Sequence, residues 1–181
     1  IRDDDPVIFV EHSLLYGTRG EVPGEEYLIP LGVSEVKREG RDVTLVGYSR
    51  GLVLALEAAE QLATEGISCE VVDLRTLRPL DMEPVLASVA RTNRAVIVEG
   101  DWVSYGVGAE IAARIQEHAF DDLDAPVLRV GTEEVPMPYA ANLEAAALPD
   151  TAGIRRAVYQ VLGRAHDGRA VAPPGGAVVR A

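Results

Sequence analysis

The chain has 181 residues, a length that fits one ordinary domain with a short appendage and argues against a two-domain enzyme. Apolar residues make up 48% and charged residues 25%, which indicates a globular protein with a core rather than a disordered or fibrous one. The net charge of −12 repels phosphate backbones and anionic lipid, so we expect neither nucleic acid nor a membrane as a partner. Any protein partner selected by charge should be basic.

Cys69 is the only cysteine, which excludes an intrachain disulfide and a thiolate metal cage. The apolar runs are too short to span a membrane, and no signal segment opens the chain. We therefore predict a reducing compartment and a cytoplasmic location. The sequence begins at Ile1 and enters an apolar run at once, which suggests a segment of a longer polypeptide.

Short runs rich in β-branched residues predict buried strands, namely Pro6–Val10, Val43–Gly47, Cys69–Leu74, Ala95–Glu99 and Val127–Val130. From Val43 onward they alternate with helical patterns, which is typical of a largely parallel sheet between two helical layers. Only four residues separate Val33–Arg38 from Val43–Gly47, too few for a parallel crossover. We expect those two strands to pair antiparallel, so that the fold is three-layer α/β/α with a mixed sheet.

Four helices are predicted from apolar residues that recur on one face. The first buries Leu52, Ala55, Leu56, Ala59, Leu62 and Ala63 and ends at a left-handed Gly66. The second begins with Asp81 as its N-cap, and the third runs from about Tyr105 to His118. The last buries Ile154, Val158, Val161, Leu162 and Ala165.

Composition also divides the chain into segments. Residues 18–31 are rich in glycine, proline and glutamate and read as a linker. The α/β domain is predicted over residues 32–166. Residues 167–181 contain two prolines and two glycines in a row, show no periodicity and are predicted to be a flexible tail.

Residues 47–51 match the G-x-S-x-G pattern, in which a strand-to-helix turn exposes a nucleophilic serine. A small serine hydrolase using Ser49 is therefore one alternative. It needs an acid and then a histidine later in the chain, but only His118, at a helix end, and His166, beside the tail, follow. The favoured interpretation is that Ser49 caps the helix and Gly51 allows close packing.

Gly106 and Gly108 match part of a G-x-G-x-x-G phosphate loop, but Ile111 replaces the third glycine and Glu99 would repel a phosphate. We expect these glycines to serve packing against a neighbouring element or a second subunit.

Ser49, Asp73 and Glu99 lie at strand ends, the edge where open α/β sheets bind ligands. This strand-end edge supports a second alternative, a free ligand-binding regulatory domain. The plainer interpretation gives the carboxylates turn chemistry and pairing with Arg75 or Arg50. No constellation supplies a nucleophile, a base and an oxyanion donor together, and the histidines lack metal-ligand spacing. The chain by itself is predicted to be non-catalytic.

Six segments carry a family resemblance: Pro6–Gly17, Asp42–Val46, Glu70–Asp81, Tyr105–Ile111, Asp124–Val127 and Val135–Ala140. In this order they resemble the C-terminal third of the beta subunit of thiamine-diphosphate-dependent 2-oxoacid dehydrogenases, most closely the pyruvate enzymes. The resemblance implies a five-stranded transketolase C-terminal domain with one antiparallel strand. It also implies that residues 1–17 are the last strand of a truncated domain that binds the cofactor's pyrimidine ring.

The resemblance places this chain in an assembly that oxidatively decarboxylates pyruvate and acylates a lipoyl domain. It implies that thiamine diphosphate and Mg²⁺ belong to the full assembly and are held by the upstream domain and the alpha subunit. No catalytic, cofactor-binding or metal-binding residue is then expected here. The implied partners are the alpha subunit, a second beta subunit and the basic subunit-binding domain of the acyltransferase core. The candidate contacts are Trp102, Tyr105, Gly106, Gly108, Glu133 and Glu134.

Overall fold

The computed structural model describes residues 4–6, 8 and 10–164. It contains five strands: β1 (Glu35–Arg38), β2 (Val43–Gly47), β3 (Cys69–Asp73), β4 (Ala95–Trp102) and β5 (Leu128–Thr132). It contains five α-helices: α1 (Ser49–Thr64), α2 (Glu83–Thr92), α3 (Val107–Ala119), α4 (Ala141–Ala147) and α5 (Thr151–Val161). Single 3-10 turns lie at Ser13–Leu15 and Phe120–Asp122.

The five strands form one mixed sheet in the order β1-β3-β2-β4-β5. Strands β3, β2, β4 and β5 run parallel to one another, and β1 is antiparallel to β3. The predicted five-stranded mixed sheet is therefore confirmed. Because the parallel strands run the same way, their carboxyl ends meet at one edge.

Two hydrophobic layers cover the sheet, because successive side chains of a strand point to opposite faces. Leu45 and Val71 face α1 and α5, while Val46 and Val72 face α2 and α3. Each strand interior is thus apolar on both sides, which explains why the strands read as continuous apolar runs.

The antiparallel strand has a different neighbour from the expected one. β1 pairs with β3, not with β2, with Glu35 opposite Asp73 and Val36 opposite Val72. Four linking residues reach about 13 Å when extended, which exceeds the roughly 10 Å that spans two strand spacings. The link therefore steps over β3, where the N–H groups of Arg41 and Asp42 both donate to the carbonyl of Ser68 at 3.1 and 2.9 Å.

The predicted first strand does not form in the described residues. Pro6, Ile8 and Val10 lie outside any strand, and Ile8 and Val10 are 91% and 89% exposed. A strand needs a hydrogen-bonded neighbour, and the described part of the chain supplies none here. Residues 18–31 are exposed throughout. The predicted tail at 167–181, with Ala165 and His166, lies outside the described residues.

Several helix boundaries differ from the predicted ones. Asp81 is not the N-cap of α2, which is Met82, although one Asp81 oxygen accepts the N–H of Glu83 at 3.1 Å. Ala63 is exposed, because Gly51, Leu54 and Ala58 occupy the buried face of α1 in its place. Gly66 follows α1 with a φ of 78°, as predicted. The sequence pattern does not predict helix α4, which is only seven residues long.

Candidate functional site

The carboxyl edge of the sheet brings the three strand-end candidates onto adjacent strands. Gly47, the last residue of β2, is in register with Asp73 on β3 and with Val98 on β4. Ser49 follows Gly47 by two residues and Glu99 follows Val98 by one. The edge is therefore assembled as predicted, but Asp73 and Glu99 each have a backbone hydrogen-bond partner of their own.

Ser49 is the exposed first residue of α1 and has a φ of 51°. The expectation that it caps the helix is wrong, because Tyr48 occupies the N-cap position and no side chain caps the helix there. The expectation for Gly51 is confirmed. A Cβ at position 51 would lie 2.5 Å from the carbonyl oxygen of Val98, so glycine lets α1 approach β4.

A cavity of about 410 Å³ opens beside this turn. It is lined by His12, Leu14, Tyr48, Ser49, Arg50, Gly51, Leu54, Gly100, Asp101, Leu148 and Pro149. The lining contains a serine, a histidine and an aspartate, the residue types of a hydrolase relay. His12 precedes Ser49 in the chain. The G-x-S-x-G pattern predicts a histidine after the serine and therefore does not indicate His12.

The hydrogen bonds around the cavity do not form that relay. Nδ1 of His12 accepts the N–H of Leu14 at 3.3 Å, and Oδ1 of Asp101 accepts the N–H of Trp102 at 2.8 Å. A neutral imidazole whose Nδ1 accepts a hydrogen bond carries its proton on Nε2 and has no free lone pair to act as a base. Among the described residues, no hydrogen bond joins the Ser49 hydroxyl to either side chain. The arrangement can bind a ligand but is not poised for nucleophilic attack.

Burial and neighbouring charged groups shift the pKa values of Tyr48 and Asp73 at this edge. Burial raises the pKa of Tyr48 to about 12, with smaller contributions from the charges of Glu99 and Asp101. Burial also raises the pKa of Asp73, while the N–H of Arg75, which donates to Asp73 Oδ1 at 3.0 Å, lowers it. Asp73 therefore pairs with Arg75, as the plainer interpretation predicted.

The Glu99 side chain lies in the protein interior rather than at an exposed edge. It lies within β4, is fully buried, and its Oε2 accepts the N–H of Gly108 at 2.7 Å. Burial raises the pKa of Glu99, and the N–H of Gly108 and the charge of Arg129 oppose that shift. Its Oε1 has no hydrogen-bond partner among the described residues.

Gly106 and Gly108 make room for this carboxylate. A Cβ at Gly108 would lie 2.3 Å from Oε1 of Glu99, and one at Gly106 would lie 2.8 Å from Oε2. Both glycines are buried within the chain. The expected packing against a neighbouring element is thus observed, whereas contact of these glycines with a second subunit stays a prediction. The chain's own carboxylate lies where a phosphate loop would hold its ligand.

An exposed apolar surface lies beyond the end of β4. We define the 102–139 surface by five exposed side chains on the last residue of β4, on the loop 103–106 and on the loop 133–140: Trp102, Tyr105, Val135, Met137 and Tyr139. Tyr105 and Tyr139 are completely exposed. The N–H of Ser104 donates to Oε1 of Glu134 at 3.1 Å and joins the two loops, and the side chain of Glu133 is exposed beside them. Exposed apolar groups on segments that are joined in this way are typical of interaction surfaces.

Clusters of metal ligands and membrane-spanning helices are both missing from the described residues. No group of three or more histidine, cysteine or carboxylate side chains that could hold a metal ion occurs within 4–6, 8 and 10–164. In that part of the chain no helix is both long and apolar enough to cross a bilayer.

Comparison with known proteins gives a family and close relatives. The model of the transketolase C-terminal domain matches residues 32–154. The chain is 50% identical over 168 residues to the mitochondrial pyruvate dehydrogenase E1 component subunit beta of Dictyostelium discoideum, covering 91% of this chain and 47% of that protein. It is 48% identical over 167 residues to the corresponding mitochondrial subunit of Rattus norvegicus, with coverages of 90% and 46%.

A bacterial relative and a solved structure agree with these matches. The beta subunit of Rhizobium meliloti is 47% identical over 162 residues, covering 89% of this chain and 35% of that protein. The solved structure, a split-gene transketolase described as an inactive beta4 tetramer, superposes with a TM-score of 0.67 at 31% identity, covering 79% of this chain and 45% of its own. The chain spans about half or less of the length of the relatives it matches.

Proposed function

Because the chain belongs to the transketolase C-terminal domain family, we propose that it is the assembly and docking domain of a pyruvate dehydrogenase E1 beta subunit. The observation that carries the proposal is the identity of about half of its residues to proteins named as that subunit, over nine-tenths of the chain. The whole enzyme would decarboxylate pyruvate oxidatively and acylate a lipoyl domain.

The described residues do not fit a site for the thiamine diphosphate and Mg²⁺ of such an enzyme. They contain no cluster of metal-ligating side chains, and the helix start at Gly106–Gly108 is filled by the carboxylate of Glu99. We therefore place no chemical step on this chain. The cofactor and metal are proposed to lie in the rest of the assembly, with an upstream pyrimidine-binding domain and an alpha subunit.

The 102–139 surface is the proposed contact with a second beta subunit. Exposed aromatic side chains such as Tyr105 and Tyr139 gain most when they are buried at an interface, because they remove a large apolar area from water. Ordered loops held together by the Ser104–Glu134 hydrogen bond lose little freedom on binding.

The proposed docking partner of the acyltransferase core is its basic subunit-binding domain. Complementary charge raises the rate of encounter and fixes orientation, and this chain carries a net charge of −12. Glu133, whose side chain is exposed, and Glu134 are the proposed acidic contacts.

Reconstitution tests the proposal. The 181-residue chain alone, supplied with thiamine diphosphate and Mg²⁺, should not decarboxylate pyruvate. The same chain extended by an upstream pyrimidine-binding domain and mixed with an alpha subunit should decarboxylate it. Turnover by the isolated chain, or full activity of an assembly that lacks this domain, would contradict the proposal.

The location is also a proposal. The relatives include mitochondrial subunits and a bacterial one, and we propose the cytoplasm because the single cysteine, Cys69, fits a reducing compartment. Fractionation of the source cells with a matrix marker would test it.

A further inference from the structure

We propose that the cavity beside Ser49 binds a small organic anion, with a carboxylate or phosphate group at Arg50 and an apolar body against Leu54 and Leu148. The place of this cavity in the sheet and the side chains that line it support this assignment independently of the proposed function.

The cavity lies where the strand connections diverge. β2 is followed by α1 and leads to β3 on one side, whereas β4 is followed by α3 and leads to β5 on the other. α1 and α3 cover opposite faces of the sheet. Two adjacent parallel strands whose helices leave on opposite faces open a crevice at their carboxyl ends, the usual ligand site of such sheets. Residues 48–51 after β2 and residues 100–101 of β4 line the cavity.

Arg50 supplies a free positive charge to this crevice. Its side chain is half-buried and forms no ion pair with any described residue, whereas Arg75 and Arg94 each pair with a carboxylate. A guanidinium offers several N–H donors that match carboxylate and phosphate oxygens. His12 can add a donor, because its Nδ1 already accepts a hydrogen bond and its proton is therefore on Nε2.

The other side chains that line the cavity favour the binding of an organic anion over that of an inorganic one. Leu14, Leu54, Leu148 and Pro149 form an apolar wall, and the volume of about 410 Å³ is near the lower end for small-molecule sites. Asp101 shares the cavity and repels a bare anion. Burial of an apolar body against the leucines offsets that repulsion, and the second Asp101 oxygen can accept a hydroxyl of the ligand.

Titration of the 181-residue chain with phenyl phosphate and benzoate tests the proposal by isothermal calorimetry and by amide chemical shifts. We expect saturable binding of at least one probe with a Kd near or below about 1 mM. Shift changes should centre on Arg50 and Gly100. The two probes distinguish a phosphate from a carboxylate ligand. Phenol, which lacks the charge, and inorganic phosphate, which lacks the apolar body, should each bind at least about tenfold more weakly.

Three variants locate the binding. Arg50→Gln should weaken it at least about tenfold. Arg41→Gln, which removes an exposed arginine at the opposite end of β2, should leave it unchanged. Gly100→Phe should abolish it by filling the cavity, since a Cβ at position 100 meets no atom within 4 Å. If Arg50→Gln fails to fold, the affinity of Gly100→Phe for the probes tests by itself whether they bind in this cavity.

Four results would overturn the proposal. They are no saturable binding of either probe, equal binding of phenol or of inorganic phosphate, unchanged affinity in both Arg50→Gln and Gly100→Phe, or shift changes elsewhere on the chain. None of these results bears on decarboxylation by the assembled enzyme, so the two proposals fail separately.

Discussion

The carboxylate of Glu99 accepts the backbone N–H of Gly108 at 2.7 Å, within the space that a side chain at position 108 would need. A strand residue thus anchors the first turn of the helix that follows it. A negative charge at a helix start is favourable because the N-terminal amides carry a partial positive charge. The pair links β4 to α3 at the base of the loop that carries Tyr105.

Gly108→Ala should destabilise the chain. The added Cβ would lie 2.3 Å from Oε1 of Glu99, so the carboxylate or the helix must shift. Overpacking of a buried site costs about 1–3 kcal/mol, and the free energy of unfolding measured in urea should fall by that amount. Gly100→Ala is the matched control, because its Cβ meets open space. Equal stabilities of the two variants would rule out this role of Gly108.

Glu99→Gln should change how stability depends on pH. Burial raises the pKa of Glu99 in the folded chain. A carboxyl group with a raised folded pKa contributes stability that is fully present below its unfolded pKa of about 4.3 and is lost as the pH rises through its folded pKa. The unmodified chain should therefore lose free energy of unfolding relative to Glu99→Gln as the pH rises across that window.

Urea unfolding at a series of pH values measures this difference. Glu57→Gln, an exposed change on α1, is the control and should follow the unmodified chain. If the free energies of unfolding of Glu99→Gln and of the unmodified chain depend on pH in the same way, the buried carboxyl group does not titrate as predicted.

Tyr139→Ala should weaken association of beta subunits without unfolding the domain. Tyr139 is completely exposed, so its truncation should change the free energy of unfolding by no more than about 0.5 kcal/mol. Loss of an interface aromatic should weaken association about tenfold or more. Sedimentation of the assembled subunits measures it. Phe120→Ala, at the far end of α3, removes another exposed aromatic and should have no effect. Weaker association in Phe120→Ala but not in Tyr139→Ala would place the interface outside the 102–139 surface.

Glu133→Gln should slow the binding of the basic acyltransferase domain. An exposed charge pair is worth about 0.2–1 kcal/mol, so the affinity should fall by no more than about fivefold at low salt. The difference should disappear at high salt, because exposed charges are screened. Glu39→Gln at the opposite sheet edge is the control for net charge. Equal losses in both variants would mean that only overall charge matters.

Ser49→Ala should have no effect on any ester cleavage by the chain. The Nδ1 of His12 accepts the N–H of Leu14, and no general base is positioned at the Ser49 hydroxyl. Loss of a true nucleophile lowers the rate by orders of magnitude. A fall of that size with p-nitrophenyl acetate would restore the hydrolase alternative.

The periodic elements and the family could be predicted from the sequence because their signals are local. The β-branched runs of β2 and β3, the apolar stripe of α5 and the glycine after α1 each depend on residues close in the chain. The G-x-S-x-G pattern also predicted a close approach at Gly51, but the group that approaches, the carbonyl of Val98 on β4, is set by the tertiary structure.

The tertiary structure decided the relationships between distant residues. The pairing of β1 with β3 depends on a link that is long enough to step over one strand, and chain length alone permits either neighbour. His12 lines the cavity with Ser49, although the chain between them contains a long exposed segment with no periodic pattern. The burial of Glu99 against Gly108 depends on how α3 docks on β4. Side-chain packing in three dimensions determines such contacts, and the order of residues by itself specifies only which of them are possible.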